Sequence, residues 1–215
     1  MPGDEIVDAV FAIRCRSLPV DHAWALSQAV QAALPWFAGE PEAGLHTIHG
    51  AASASGWMRP EGPEDLLQLS HRAKLALRLP RRRLEDAAVL LGCTLEVAGF
   101  AMRVDKLSAR PLSRITTLFS RYLIFTGTED EAAFLTAARE ALGALGIRPK
   151  EMLCGRSFAI ATPDRTYETR SLMLAGLTPE QSLELQRRGL GEERKLGCGL
   201  FIPHKDVGDL RSRED

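Results

Sequence analysis

A chain of 215 residues with 45% hydrophobic composition can bury one ordinary core or two small ones, and its formal net charge of −1 gives no global sign of a polyanion partner. Cys15, Cys93, Cys154 and Cys198 are widely spaced with no C-x-x-C pair, which excludes a dense disulfide or zinc framework and fits free packing thiols. The acidic start (Asp4, Glu5, Asp8) is unlike a secretory signal, and no run nears the ~20 apolar residues of a membrane span, so a cytoplasmic protein without membrane contact is expected.

In chain order, "DAVFAIRCRSL" alternates Phe11, Ile13 and Cys15 against Arg14 and Arg16, the period of a half-buried strand. Asp21 is placed to cap a helix whose Leu26, Val30, Leu34 and Phe37 recur at helical spacing, with Pro35 disturbing its last turn. From Gly39 to Pro63 the composition is rich in Gly, Ser, Ala and Pro and reads mostly as loop. "HRAKLALRLP" then puts Ala73, Leu75, Leu77 and Leu79 on one strand face and Arg72, Lys74 and Arg78 on the other. A short helix with Leu84, Ala87, Ala88 and Leu91 stops at Gly92, and "TLEVAGFAMRV" reads as strand with a tight turn at Ala98-Gly99.

A helix-poor linker is expected over residues 105–120. After it, "RYLIFTG" is a strand, and Thr128 with Glu131 makes a capping box for a helix burying Phe134, Leu135, Ala138, Leu142 and Leu145, closed by Gly146. Strands follow at Met152 to Ile160 and Thr169 to Ala175, with a hairpin turn around Pro163-Asp164. Thr178, Pro179 and Gln181 start a last helix, and "GLFIP" ends the series as a strand. Both halves spell βαββαβ, so the expected fold is α+β: two tandem ferredoxin-like, RRM-like modules at 1–104 and 121–205, with a polar tail at 206–215.

The charge is segregated along the chain. Between Leu66 and Leu84 lie six Lys or Arg residues (Arg72, Lys74, Arg78, Arg81, Arg82, Arg83) and no acid; between Lys106 and Thr126 lie four more (Lys106, Arg110, Arg114, Arg121), again with no acid. Such segregation lets a nearly neutral protein offer a basic face to phosphates. Near the C-terminus, Gly189, Gly191, Gly197 and Gly199 bracket "EERKL" in the pattern G-x-G-x(5)-G-x-G. It is neither a dinucleotide fingerprint, which would need glycine at Arg194, nor a Walker loop, which would need G-K-[ST]. Taken only as glycines, the stretch is a helix C-cap and a tight turn; with Arg194 and Lys195 at its centre it suggests close approach to a phosphate.

Two such modules, with a last helix running into this glycine pattern and a final strand, resemble the CRISPR-associated endoribonucleases that cut the repeats of precursor CRISPR RNA. "SLELQRRGLGEERKLGCGLFIPHK" is especially similar to the subgroup from Myxococcus-type CRISPR systems, as are "AGLHTIHG" after the first helix and "LALRLP" in the basic strand. The resemblance runs through most of the chain, with nothing to match at Met58 to Leu67 and Thr162 to Glu168. It implies metal-independent cleavage with no cofactor: the RNA 2′-hydroxyl attacks the adjacent phosphate, leaving a 2′,3′-cyclic phosphate and a 5′-hydroxyl. Such a reaction needs a base, an acid and positive charge.

Histidine suits proton transfer near neutral pH. Of five, His22 in the first helical turn reads as surface or capping, and His71 and His204 as RNA-facing or solvent-facing residues. His46 and His49 lie in the loop where the family commonly places its base, and His46 in "GLHTI" matches the subgroup better. His46-x-x-His49 lacks a third ligand nearby, so no metal site is expected. The basic segments and the glycine loop make Arg72, Lys74, Arg78, Arg121, Arg194, Lys195 and the four loop glycines the expected RNA-binding residues, with Lys74, Arg72, Arg194 and Lys195 all candidates for charge stabilisation at the scissile phosphate; Ser53 and Ser55 orient RNA or make turns. The implied partner is CRISPR repeat RNA; other subunits of a CRISPR effector complex and a homodimer stay open. Two rivals remain: an RNA-holding CRISPR subunit that does not cut, and a ferredoxin-like protein binding a compact phosphate ligand.

Overall fold

A computed structural model describes residues 5–49, 62, 65–128 and 130–204, which divide into two compact units. The first holds the residues up to Pro111 with Ile160–Thr166 and Lys195–Gly197; the second holds Leu112–Ala159, Tyr167–Arg194 and the chain from Cys198 on.

In the first unit, β1 (Ile6–Arg14), β3 (Gly44–His46), β5 (Lys74–Pro80), β6 (Thr94–Val97) and β7 (Phe100–Pro111) form one antiparallel sheet in the order β3-β5-β1-β7-β6. Setting aside β6, this is the strand order of a ferredoxin-like βαββαβ module. A ribbon of β2 (Ser17–Pro19) with β4 (Leu66–Gln68) stands apart from it. Helices α1 (Ala23–Ala33) and α2 (Trp36–Gly39) bring Leu26, Val30 and Phe37 to the core formed by Val7, Ala9 and Phe11 of β1 and Leu75, Leu77 and Leu79 of β5. The helix before β6 is shorter than its apolar spacing suggests: α3 is Leu84–Ala87, flanked by 3₁₀ turns at Arg81–Arg83 and Ala88–Leu90.

In the second unit, β8 (Leu118–Leu123), α4 (Glu131–Ala144), β9 (Glu151–Ala161), β10 (Thr166–Ala175), α5 (Pro179–Arg188) and β11 (Ile202–Pro203) repeat the motif, and the sheet order β11-β8-β10-β9 is again ferredoxin-like. Phe134, Ala138 and Leu142 of α4 pack with Leu118, Leu172 and Leu174, and Leu185 of α5 joins them. The expected capping box at Thr178 and Gln181 is present on α5.

Four local readings change. The helix α4 starts at Asp130, whose carboxylate accepts from Ala133 N at 2.8 Å, whereas Thr128 donates its hydroxyl to Phe125 O. Asp21 does not cap α1; His22 holds that position, and Asp21 accepts instead from Ala161 N at 2.8 Å. Residues 105–111, expected in the linker, are the second half of β7, because pairing with β1 as far as Val7↔Pro111 supplies the backbone partners that the weak side-chain alternation there does not advertise. Gly44–His46, expected in a loop, is a strand paired to β5; three residues are too few to show a period.

Candidate active site

The site is built on the sheet face of the first unit that turns away from Leu75, Leu77 and Leu79. Cross-strand register places Asp8 directly opposite Arg78, and His46 opposite Ala76, so the three side chains share that face. The Arg78 guanidinium clasps Asp8 through Nε (2.8 Å to Oδ1) and Nη2 (3.1 Å to Oδ2). His46 Nε2 lies 3.4 Å from the same Oδ1. Arg78 is fully buried at 0% side-chain exposure, whereas Asp8 keeps 16% and His46 17%, so solvent reaches the carboxylate and the imidazole about equally and the guanidinium not at all. Burial alone would raise the Asp8 carboxyl pKa, but the His46 hydrogen bond, the Arg78 charge and the Arg78 hydrogen bond together hold it well below the usual carboxylate range. The carboxylate is therefore ionised throughout the physiological range.

The loop leaving β3 is pinned from inside. His22 is not a surface residue: at 2% exposure it donates from Nδ1 to Pro19 O (2.8 Å) and accepts at Nε2 from Ile48 N (3.1 Å), which fixes its tautomer and the backbone two residues after His46. His49 is half-buried, its Nε2 3.1 Å from Thr47 Oγ1. His71 and His204 are exposed, the latter tilted against Phe119. Ser53 and Ser55 lie outside the described residues, and among those described no three His, Cys, Asp or Glu side chains gather as a metal site requires.

Several amides of the glycine loop are bonded within the chain: Gly189 N to Leu185 O, Leu190 N to Gly199 O, Glu192 N to Ile124 O and Gly199 N to Tyr122 O. Gly189, Gly191, Gly197 and Gly199 all have positive φ. A Cβ on Gly189 would stand 2.5 Å from Gly199 O, and one on Gly197 2.7 Å from Thr47 Cγ2 and 3.0 Å from Leu45 O, beside the strand that carries His46. The loop cations are likewise used inside the fold. Arg194 donates to the carbonyls of Arg187 and Arg188 at the end of α5, and Lys195 Nζ donates to Glu40 O (2.5 Å) and Ala43 O (2.7 Å) over the Phe37 ring. Close approach is what the glycines provide, but the groups approached are carbonyls of the same chain.

The comparisons with known proteins decide the family. A family model described as Cas6, "Cas6 Crispr", matches residues 7–206. A Myxococcus xanthus protein named CRISPR-associated endonuclease Cas6 is 32% identical over 197 residues, covering 92% of this chain and 81% of that protein. The chain belongs to the Cas6 family. At the level of fold, a solved structure described as CRISPR associated protein Cas6 superposes with a TM-score of 0.64 at 12% identity, covering 94% of this chain and all of that one. Another, described as a RAMP protein binding different RNA substrates, gives 0.61 at 12% identity over 93% and 99%.

In this Cas6 chain the basic residues divide sharply. Arg78, expected to face RNA, is the buried partner of Asp8: alternation put it on the non-core face correctly, but that face is covered at this row. Arg81 pairs with Glu5, Arg82 with Glu40, and Arg83 with Glu40 and Asp86, so an acid-free stretch of sequence is well supplied with acids in space. Arg72 and Lys74 are exposed, with Lys74 one diagonal step from His46 on the same face. Arg110, opposite Asp8 on β7 and part of the second acid-free segment, is also exposed there, although it is not among the expected RNA contacts. Asp8 was missed as well; its only signal is a lone acid inside the apolar run "IVDAVFAI". Arg121 on β8 is half-buried with its guanidinium 5.8 Å from the Phe119 ring centre. Between the last two glycines of the loop, Cys198 is fully buried, and burial, then the Glu193 carboxylate, pushes its thiol far up. No described helix is long and apolar enough to cross a membrane.

Proposed function

We propose that this Cas6 family member is a metal-independent endoribonuclease that cuts precursor CRISPR RNA within its repeats, with His46 as the general base. The observation that carries the reading is His46 itself: a partly exposed imidazole on a strand, hydrogen-bonded to an ionised carboxylate that a buried guanidinium holds in place. The named activity of the Myxococcus xanthus relative supports the same reading.

His46 takes the proton from the 2′-hydroxyl; O2′ attacks the adjacent phosphorus; the bond to O5′ breaks as that oxygen gains a proton. The products are a 2′,3′-cyclic phosphate and a 5′-hydroxyl. Charge on the pentacoordinate transition state requires a nearby cation; Lys74 supplies it, a reading supported by its exposure and its position one diagonal step from His46 on the same face. Arg72 and Arg121 hold the RNA backbone away from the cut. An A-form stem hides its major-groove edges, so recognition rests on stem shape, closing pairs and unpaired flanks.

The test is incubation of the protein with its own repeat RNA in EDTA, beside a substrate carrying a 2′-deoxy residue at the cut. Single-site cleavage with a cyclic phosphate end, abolished by the 2′-deoxy substitution and by His46→Ala, is expected. Tight binding without any cleavage would instead identify an RNA-holding subunit.

A further inference from the structure

We infer that Asp8, clamped by Arg78, is a positioning residue for His46: it accepts the Nε2 proton and so fixes the tautomer in which Nδ1 receives the proton of the RNA 2′-hydroxyl. The inference rests on the assignment of His46 as base.

Three features carry it. First, the geometry is overdetermined. Asp8 and Arg78 are register partners on the two central strands, and both carboxylate oxygens are engaged by the one guanidinium, at 2.8 and 3.1 Å, so the carboxylate plane cannot turn away from His46. Second, a carboxylate is an acceptor only, so the His46 nitrogen facing it must be the one bearing hydrogen. The 3.4 Å separation is longer than the ~2.9 Å typical of such bonds, as catalytic hydrogen bonds often are before substrate tightens them. Third, a fully buried arginine is an expensive way to fill a sheet face, since desolvating an ion pair cancels much of its attraction. A pair of apolar residues would pack there as well. What the ion pair adds is a fixed acceptor at the edge of the imidazole, the arrangement by which carboxylates orient catalytic and metal-bound histidines generally. The backbone beyond His46 is held to match, through Ile48 N on His22 and through the tight contact of Gly197 with Thr47.

The experiment measures single-turnover cleavage, RNA affinity and thermal melting for wild type, His46→Ala, Asp8→Asn and the double variant Asp8→Asn with Arg78→Met, which removes the buried cation together with its carboxylate. Nitrogen-15 spectra of the His46 ring are recorded alongside. The expected result is a folded double variant that cleaves ~10²-fold more slowly with RNA affinity unchanged. Wild-type spectra should show neutral His46 protonated on Nε2, with that preference lost in the variants. A folded double variant cleaving at the wild-type rate, or a wild-type ring protonated on Nδ1, overturns the inference while leaving the base assignment intact if His46→Ala is inactive. Full activity in His46→Ala overturns both. The wild-type spectrum decides even if both Asp8 variants unfold.

Discussion

The two units share a strand order and differ in what their sheets display. On the first, the face away from the core carries Asp8, Arg78 and His46, an ionic row ending in an imidazole. On the second, the register partners Phe119, Met173 and Ile202 stand with Arg121, a ring, a thioether and an alkyl side chain beside one cation. One sheet face carries a carboxylate, a guanidinium and an imidazole in contact, the other a mostly apolar surface beside a cation. Topology therefore says little about role; the non-core residues of a few central strands say much more.

Substitutions can break that contrast at several strengths. The largest effect is expected for His46→Ala, a loss of ~10²–10⁴ in single-turnover cleavage at undiminished RNA affinity, with His49→Ala close to wild type in the same assay. Arg78→Ala strands a buried carboxylate and should cost about 3–5 kcal/mol in chemical denaturation. Arg121→Ala, its counterpart in the second unit, should shift stability by no more than about 0.5 kcal/mol.

Acid sharpens the same difference. The Asp8 pKa is lower folded than unfolded, so its contribution is fully present above the unfolded value of about 4 and is lost as pH falls below it. Melting temperature followed from pH 6 downward should fall more steeply for wild type than for the Asp8→Asn, Arg78→Met double variant; parallel curves would remove the ion pair from the acid response. Lys195→Met should lower stability by about 1–3 kcal/mol without changing the salt dependence of RNA binding, as befits a lysine bonded to two carbonyls. The smallest effect belongs to Arg121→Ala, expected to reduce the slope of log affinity against log salt by about one.

Much of the fold could be read from local signals because the long elements advertise themselves: the alternation of β5, the apolar stripe of α4 and the capping box of α5 are visible within ten or so residues. β3 was hidden because three residues carry no period, and the second half of β7 because its partner strand, about a hundred residues upstream, stabilises it. At the site, His46 was singled out through its glycine-bounded segment and the family resemblance. Asp8 and the fate of Arg78 were not, since an acid and a base 70 positions apart show no sign of meeting until strand register is known. The inward contacts of the glycine loop were hidden for a related reason: glycine reports that something comes close, and the sequence does not say what it is.

The burial of Cys198 turns the glycine loop into its own clock. A thiol that is both enclosed and held protonated cannot meet an alkylating reagent in the closed state, so each labelling event at this position records an excursion of the loop. Cys15, Cys93 and Cys154 are only partly buried and provide internal controls on the same molecule. Residue-resolved labelling rates, taken with and without RNA, would turn the sealing of this segment from a static picture into an opening free energy.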